Sequence, residues 1–151
     1  MVERPQLKLN VPLTVVTDRD GEAMARAALA TKVPALDSDQ PPDENAKRKQ
    51  LSAYEKAYKE IVKSAPQYPP EAKTDKGMDT DAQLQYLQDG LLQRLRPDDS
   101  ALTALAQQRA RAVQDALLAN TELSPERVFI TAERAEGEPE KDAVRMKMKL
   151  E

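Results

Sequence analysis

Asp98-Asp99-Ser100-Ala101-Leu102-Thr103-Ala104-Leu105-Ala106-Gln107-Gln108-Arg109-Ala110-Arg111-Ala112-Val113-Gln114-Asp115-Ala116-Leu117-Leu118 is the stretch that decides the fold. Pro97 separates it from the helical pattern before it, and Asp98 can accept hydrogen bonds from the free backbone N–H groups of a new helix. Acidic Asp98 and Asp99 also suit the positive end of a helix dipole. Leu102, Leu105, Ala106, Val113, Ala116 and Leu117 recur at helical spacing and form one apolar stripe. A helix turns about 100° per residue, so Arg109 falls on the middle line of that stripe and Arg111 points away into solvent. A buried guanidinium without a partner is very costly, whereas a carboxylate in fork geometry satisfies it. An internal salt bridge to Asp18, Asp20 or Glu133 would do so, as would snorkelling at the sheet edge. The alternative is an anion site in which Arg109 holds an external carboxylate.

Downstream, Asn120 and Thr121 end the helix, and Ser124-Pro125-Glu126 restarts a single turn with Ser as cap and Pro first. Arg127 to Ala132 reads as a strand with Val128 and Ile130 on one face, and Glu133 to Asp142 as a polar loop. Val144-Arg145-Met146-Lys147-Met148-Lys149-Leu150 alternates more regularly than any other stretch. That predicts a closing strand with Val144, Met146, Met148 and Leu150 inward and Arg145, Lys147 and Lys149 outward.

Upstream, Gln6 to Val16 alternates as a half-buried strand that Pro12 should end or push to an edge. Thr17-Asp18-Arg19-Asp20-Gly21 reads as a turn leading into a helix with Ala23, Met24, Ala27, Ala28 and Val33 on its small-residue face, stopped by Pro34. Proline-rich linkers at Leu36–Glu44 and Ala65–Asp79 bracket a helix near Asn45–Ser64 marked by Leu51, Tyr54, Tyr58, Ile61 and Val62. Another helix, about Asp79–Leu95, carries Leu84, Leu87, Leu91, Leu92 and Leu95, with Asp79, Thr80 or Asp81 to cap it. Core packing accounts for both stripes, and a partner groove is the alternative. Lys47-Arg48-Lys49 reads as a solvated face, three bases being few for an anionic partner.

Composition removes several function classes. One Phe, no Trp and Tyr only at 54, 58, 68 and 86 leave Leu, Val, Ala and Met to build the core, which suits helices on a small sheet. With neither Cys nor His, thiolate metal sites, disulfides and His-based nucleophilic chemistry are impossible within this chain. Asp18 and Asp20 beside Gly21 lack the further acids of an EF-hand loop, so no metal and no cofactor is expected. A net charge of −3 with acids and bases mixed gives no footprint for nucleic acid, and no apolar run is long enough to span a bilayer. The chain begins as if cut from a longer protein, and Met1 is expected to be an added start residue and Leu150-Glu151 a vector scar.

Leu105-Ala106-Gln107-Gln108-Arg109-Ala110-Arg111-Ala112-Val113, Leu117-Leu118 and Ser124-Pro125-Glu126-Arg127-Val128-Phe129 together resemble the second half of OmpA-like domains. The chain is more closely similar to the C-terminal region of AsmA-like bacterial envelope proteins of domain-of-unknown-function family 748. The match runs through Glu3-Arg4-Pro5-Gln6-Leu7-Lys8-Leu9, the Asp-x-Asp turn, Leu51-Ser52-Ala53-Tyr54 and the OmpA-like ending. In OmpA-like domains an Asp in Gly-His-Thr-Asp-x-x-Gly and the helix Arg grip the diaminopimelate of peptidoglycan. Thr17-Asp18-Arg19-Asp20-Gly21 keeps Thr-Asp-x-x-Gly, so the resemblance carries ligand roles to Asp18 and Arg109. Val15-Val16 stands in place of Gly-His, Ala106 in place of the helix Ser, and Asp142-Ala143-Val144 in place of Asn-Arg-Arg.

The expected fold is α+β: about four helices packed on a small mixed sheet of about three strands. Residues 1–151 are expected to form a single domain, an OmpA-like second half with a helical insertion over 34–97. The resemblance implies a non-catalytic periplasmic domain of a membrane-anchored parent, with a contact or anchoring role in envelope integrity or inter-membrane lipid transport. Its partners would be other envelope proteins or the rest of the parent chain. The alternative is a peptidoglycan-binding module, and a hydrolase without His would need two carboxylates converging across a cleft.

Overall fold

The computed structural model describes residues 7–34, 42–119, 123–141 and 143–151. It holds four α-helices and a small mixed sheet of three strands, with two further two-stranded ladders, among these residues. The chain divides into two compact units, Met1–Gly21 with Pro97–Glu151, and Glu22–Arg96. The boundary between these units falls inside the first helix, α1 (Thr17–Ala30), whereas the helical insertion was expected over 34–97.

In the first unit, β1 (Leu9–Val15) is the middle strand of the sheet. On one side it pairs in parallel with β4 (Val128–Glu136), and on the other antiparallel with β7 (Lys149–Leu150). Leu9, Val11, Leu13 and Val15 alternate inward and are buried, as their period-2 spacing predicts. Against them packs α4 (Asp99–Leu118), whose Ala106 and Ala110 let the helix approach the sheet closely. Val11, Leu13, Val15, Val128, Ala106 and Ala110 make this core, each large aliphatic side chain contributing roughly 1.5–3 kcal/mol on burial.

Pro12 lies inside β1 rather than at its end. The register with β4 slips between Val11, opposite Ile130, and Leu13, opposite Arg134, so the ladder is interrupted where the proline has no N–H to give. On the other side β7 meets only Leu9 and Asn10, and no strand asks for a donor from Pro12. Arg127 fixes the start of β1 by donating from Nε and Nη2 to the Leu7 carbonyl at 3.1 and 3.0 Å.

The chain's end departs from the alternation. β4 runs on through Glu136, and β5 (Glu138–Glu140) turns back on β6 (Ala143–Arg145) where a polar loop is expected. Only Lys149–Leu150 joins the main sheet, and Met148 and Leu150 are exposed rather than inward. Gly137 sits where the hairpin crosses the outer side of β1. A Cβ there would come within 2.6 Å of both the Thr14 and Val144 methyls, and Thr14 is buried. Asp98 caps α4 as expected, accepting from the Ala101 N–H at 2.8 Å, whereas the Ser124 side chain makes no cap bond. The expected helix end at Asn120-Thr121 and the strand positions before Leu7 lie outside the described residues.

The second unit holds the rest of α1, α2 (Glu44–Val62) and α3 (Thr80–Arg94). Asp43 caps α2 and Asp79 caps α3 through their carboxylates. Leu29, Val33, Ala57, Tyr58, Leu87 and Leu91 form its core, with Tyr54, Tyr68 and Tyr86 packed around it. The buried face of this part of α1 is Ala25 and Leu29 rather than Ala23 and Ala27, which are exposed, while Val33, beyond the helix end, is buried as expected. An alanine-rich helix offers little contrast from which to read its face. The expected second linker carries a short 3-10 turn (Pro70–Ala72) and a ladder of β2 (Lys73–Thr74) with β3 (Gly77–Met78); the part of the first linker at 36–41 lies outside the described residues. No helix among the described residues is long and apolar enough to cross a membrane.

Candidate functional site

Arg109 projects from α4 beside Ala110 towards the junction of β1 and α1. Its Nη1 donates to Asp20 Oδ2 at 2.5 Å and its Nη2 to Asp20 Oδ1 at 2.7 Å, a two-point fork. The Asp20 side chain is only 5 % exposed, and that of Arg109 is 29 % exposed. Asp20 Oδ2 also accepts the Val16 N–H at 2.7 Å, so the same carboxylate closes the start of α1. The hydrogen bond from Arg109 is the main reason the Asp20 carboxyl lies below its usual range; burial opposes it and the Val16 bond assists. Arg109 is raised in turn, chiefly by its bond to Asp20.

Of the three internal acids that sequence offers to Arg109, the structure selects Asp20. Asp18, on which the resemblance places the ligand role, lies exposed in the first turn of α1 and is not the partner of Arg109. Glu133 is exposed on β4. Gly21 belongs to the helix, and a Cβ there would meet Pro97 at an ordinary 4.0 Å, so the glycine of Thr-Asp-x-x-Gly answers no steric demand.

Further charged residues that the sequence places in a loop complete this end of the unit. Glu136, at the end of β4, accepts the Thr17 N–H at 2.7 Å and the Thr17 hydroxyl at 2.8 Å. A carboxylate thereby sits at the positive end of α1. Arg134 pairs with Asp99 at the start of α4. Arg19 donates from Nη1 to the carbonyls of Glu140 and Ala143 at 3.1 and 3.0 Å, and from Nη2 to Lys141. Alternation gives no signal for β4 past Ile130, because Arg134 and Glu136 put charge at the positions that continue the Val128–Ile130 face.

Every oxygen of Asp20 is engaged, and its ionised form is the favoured one, so it has no proton to give at neutral pH. No group of three or more His, Cys, Asp or Glu among the described residues could hold a metal ion. A cleft beside α4 and β4, lined by Leu13, Gln107, Arg111, Ile130, Thr131 and Ala132, contains no carboxylate. In the second unit Glu22 and Asp89 line one cleft, but both are exposed, Glu22 bonded to Arg26 and Asp89 to the Gln85 amide.

No family model matches this chain, and no curated protein or solved structure matches it either.

Proposed function

We propose that this chain is a non-catalytic periplasmic domain of an AsmA-like envelope protein, with a contact or anchoring role in envelope integrity or inter-membrane lipid transport. The observation that carries the reading is how the chain is partitioned. The two segments that resemble an OmpA-like half-site, around Thr17–Gly21 and Arg109, lie in one compact unit, and the intervening helices form another. The placement of Asp20 against Arg109 supports a structural role for the arginine, since an internal carboxylate takes the fork that a ligand carboxylate would need. The partners of such a domain are other envelope proteins or the remainder of the parent chain. Deleting residues 1–151 from the parent protein should leave its membrane insertion intact, raise envelope permeability to large antibiotics, and remove cross-links to envelope partners. Unchanged permeability together with unchanged cross-links would refute the reading.

Peptidoglycan binding through Asp18 and Arg109 is the second reading, favoured by the partial exposure of the Arg109 side chain beside the first turn of α1. A sacculus pull-down comparing the parent sequence with Arg109→Ala and Asp18→Ala tests it, with folding checked by circular dichroism. Equal retention of all three, or of none, removes that reading.

A further inference from the structure

Lys49, Lys56 and Lys63 stand seven residues apart along α2 and its C-terminal cap, so they share one line of the helix surface. Successive lysines rise about 10.5 Å, and the row covers about 21 Å. This line lies opposite Tyr54, Tyr58 and Ile61, which the core of the unit holds, so the row is presented on a rigid support. Arg48 and Lys59 flank it, and Lys32, from the turn after α1, lines a shallow depression with Lys56. All six cations are exposed, and none makes an ion pair with a described residue, whereas Lys47 on the side of the helix is held by Asp81 at 2.9 Å. Glu55 is turned away to accept from the Tyr68 hydroxyl. Stacked like charges one and two turns apart cost helix stability in the free protein, and an apposed negative layer would relieve that cost.

We infer that this face of α2 docks on a bilayer surface carrying anionic phospholipid headgroups. Five of the six cations are lysines, which act as point charges and suit diffuse attraction to a fluid headgroup layer. No aromatic side chain lies on the row to stack on a base, as a single-strand nucleic-acid surface would require. Glu60, four residues after Lys56 and three before Lys63, stands beside the lysine line and lines the depression with Lys32 and Lys56, where it repels a discrete anion. The whole chain carries −3, so attraction to a negative surface must be local to this face. The inference does not rest on the envelope reading.

Sedimentation with lipid vesicles tests it. The full chain should bind vesicles of phosphatidylcholine with one third phosphatidylglycerol at low salt, lose binding as salt rises, and ignore phosphatidylcholine alone. Lys49→Glu/Lys56→Glu/Lys63→Glu should weaken partitioning by roughly a hundredfold or more, each lysine near such a surface contributing about fivefold. Lys73→Glu/Lys76→Glu/Lys141→Glu makes the same change of charge elsewhere and should bind nearly as the parent sequence does. Because all six positions are exposed, circular dichroism should report both variants folded. No binding by the parent sequence, equal losses in the two variants, or binding to duplex DNA at least as tight as to the anionic vesicles would overturn the inference.

Discussion

Arg109 and Asp20, 89 residues apart in sequence, meet through two bonds of 2.5 and 2.7 Å inside one compact unit. The pair ties the middle of α4 to the first turn of α1, and Asp20 passes the constraint to the end of β1 through the Val16 N–H. With the Asp20 side chain nearly buried, this fork is placed to hold the unit together rather than to decorate its surface.

Removing one partner should therefore cost more than a surface ion pair would. Arg109→Ala leaves Asp20 as an unpaired buried charge, and the expected loss is about 3 kcal/mol of unfolding free energy. Arg109→Lys keeps the charge and loses the fork, with an expected loss of about 1–2 kcal/mol. Urea denaturation of both, with Asp20→Asn to close a double-mutant cycle, measures the coupling. A loss below about 0.5 kcal/mol for Arg109→Ala would place the pair among ordinary surface contacts.

The same pair sets an acid limb. Asp20 has its carboxyl lowered from the ordinary 3.8, so in acid the unfolded chain takes up this proton before the folded one. Its contribution is present in full above the ordinary value and is lost as pH falls through the lowered folded value. Asp20→Asn should consequently be less stable than the parent sequence at neutral pH, yet lose less further stability below about pH 4. Urea midpoints taken across the acid range decide this; parallel acid limbs would contradict it.

The sequence makes the arginine legible because one charge interrupts an apolar period, and it makes the partner legible only as a choice of three acids. Selection of Asp20 over Asp18 depends on where the helix starts. A turn was expected over Thr17–Gly21, but the helix begins at Thr17, which turns Asp20 back towards Val16 and α4. The helix start at Asp98 was readable, and that at Asp79 as one of three candidate caps, because a carboxylate there bonds its own local backbone; Asp43, which caps α2, fell inside the expected linker. Alternation placed Met146 against the core correctly but misled at Met148 and Leu150, where chain continuity to the β5–β6 hairpin, a tertiary matter, leaves only two residues for β7. Pro12 misled for a related reason: a slipped register on one side and a short neighbour on the other remove the demand for its N–H.

At the basic end, Tyr68 is the sensitive group of the second unit. Burial, and then its hydrogen bond to Glu55, push its hydroxyl well above the ordinary 10.0. The unfolded chain would lose this proton first as pH rises, so the stability it contributes is present below the ordinary value and declines above it. Tyr68→Phe should cost about 1–2 kcal/mol at neutral pH, since Glu55 loses a charge-assisted partner. It should also flatten the decline above about pH 10. Thermal melts of the two proteins across that range suffice, and an unchanged slope would rule out Tyr68 as its source.

Gly90 poses an opposition between local and tertiary preference. In the interior of α3, Gly→Ala is favourable by about 1 kcal/mol on helix propensity alone. Here an added Cβ would stand 2.9 Å from Cε2 of Tyr58. That ring is buried in the core and packs against Tyr86 with centroids 6.2 Å apart, so it cannot swing into solvent as a flexible chain end would. Overpacking of this kind costs about 1–3 kcal/mol, enough to outweigh the propensity gain. Gly90→Ala is therefore expected to destabilise the protein by about 1 kcal/mol net, and Gly90→Ala with Tyr58→Leu to recover part of that loss by making room for the methyl. Stabilisation by the single substitution in a urea titration would mean that the tyrosine cluster yields more readily than its burial implies.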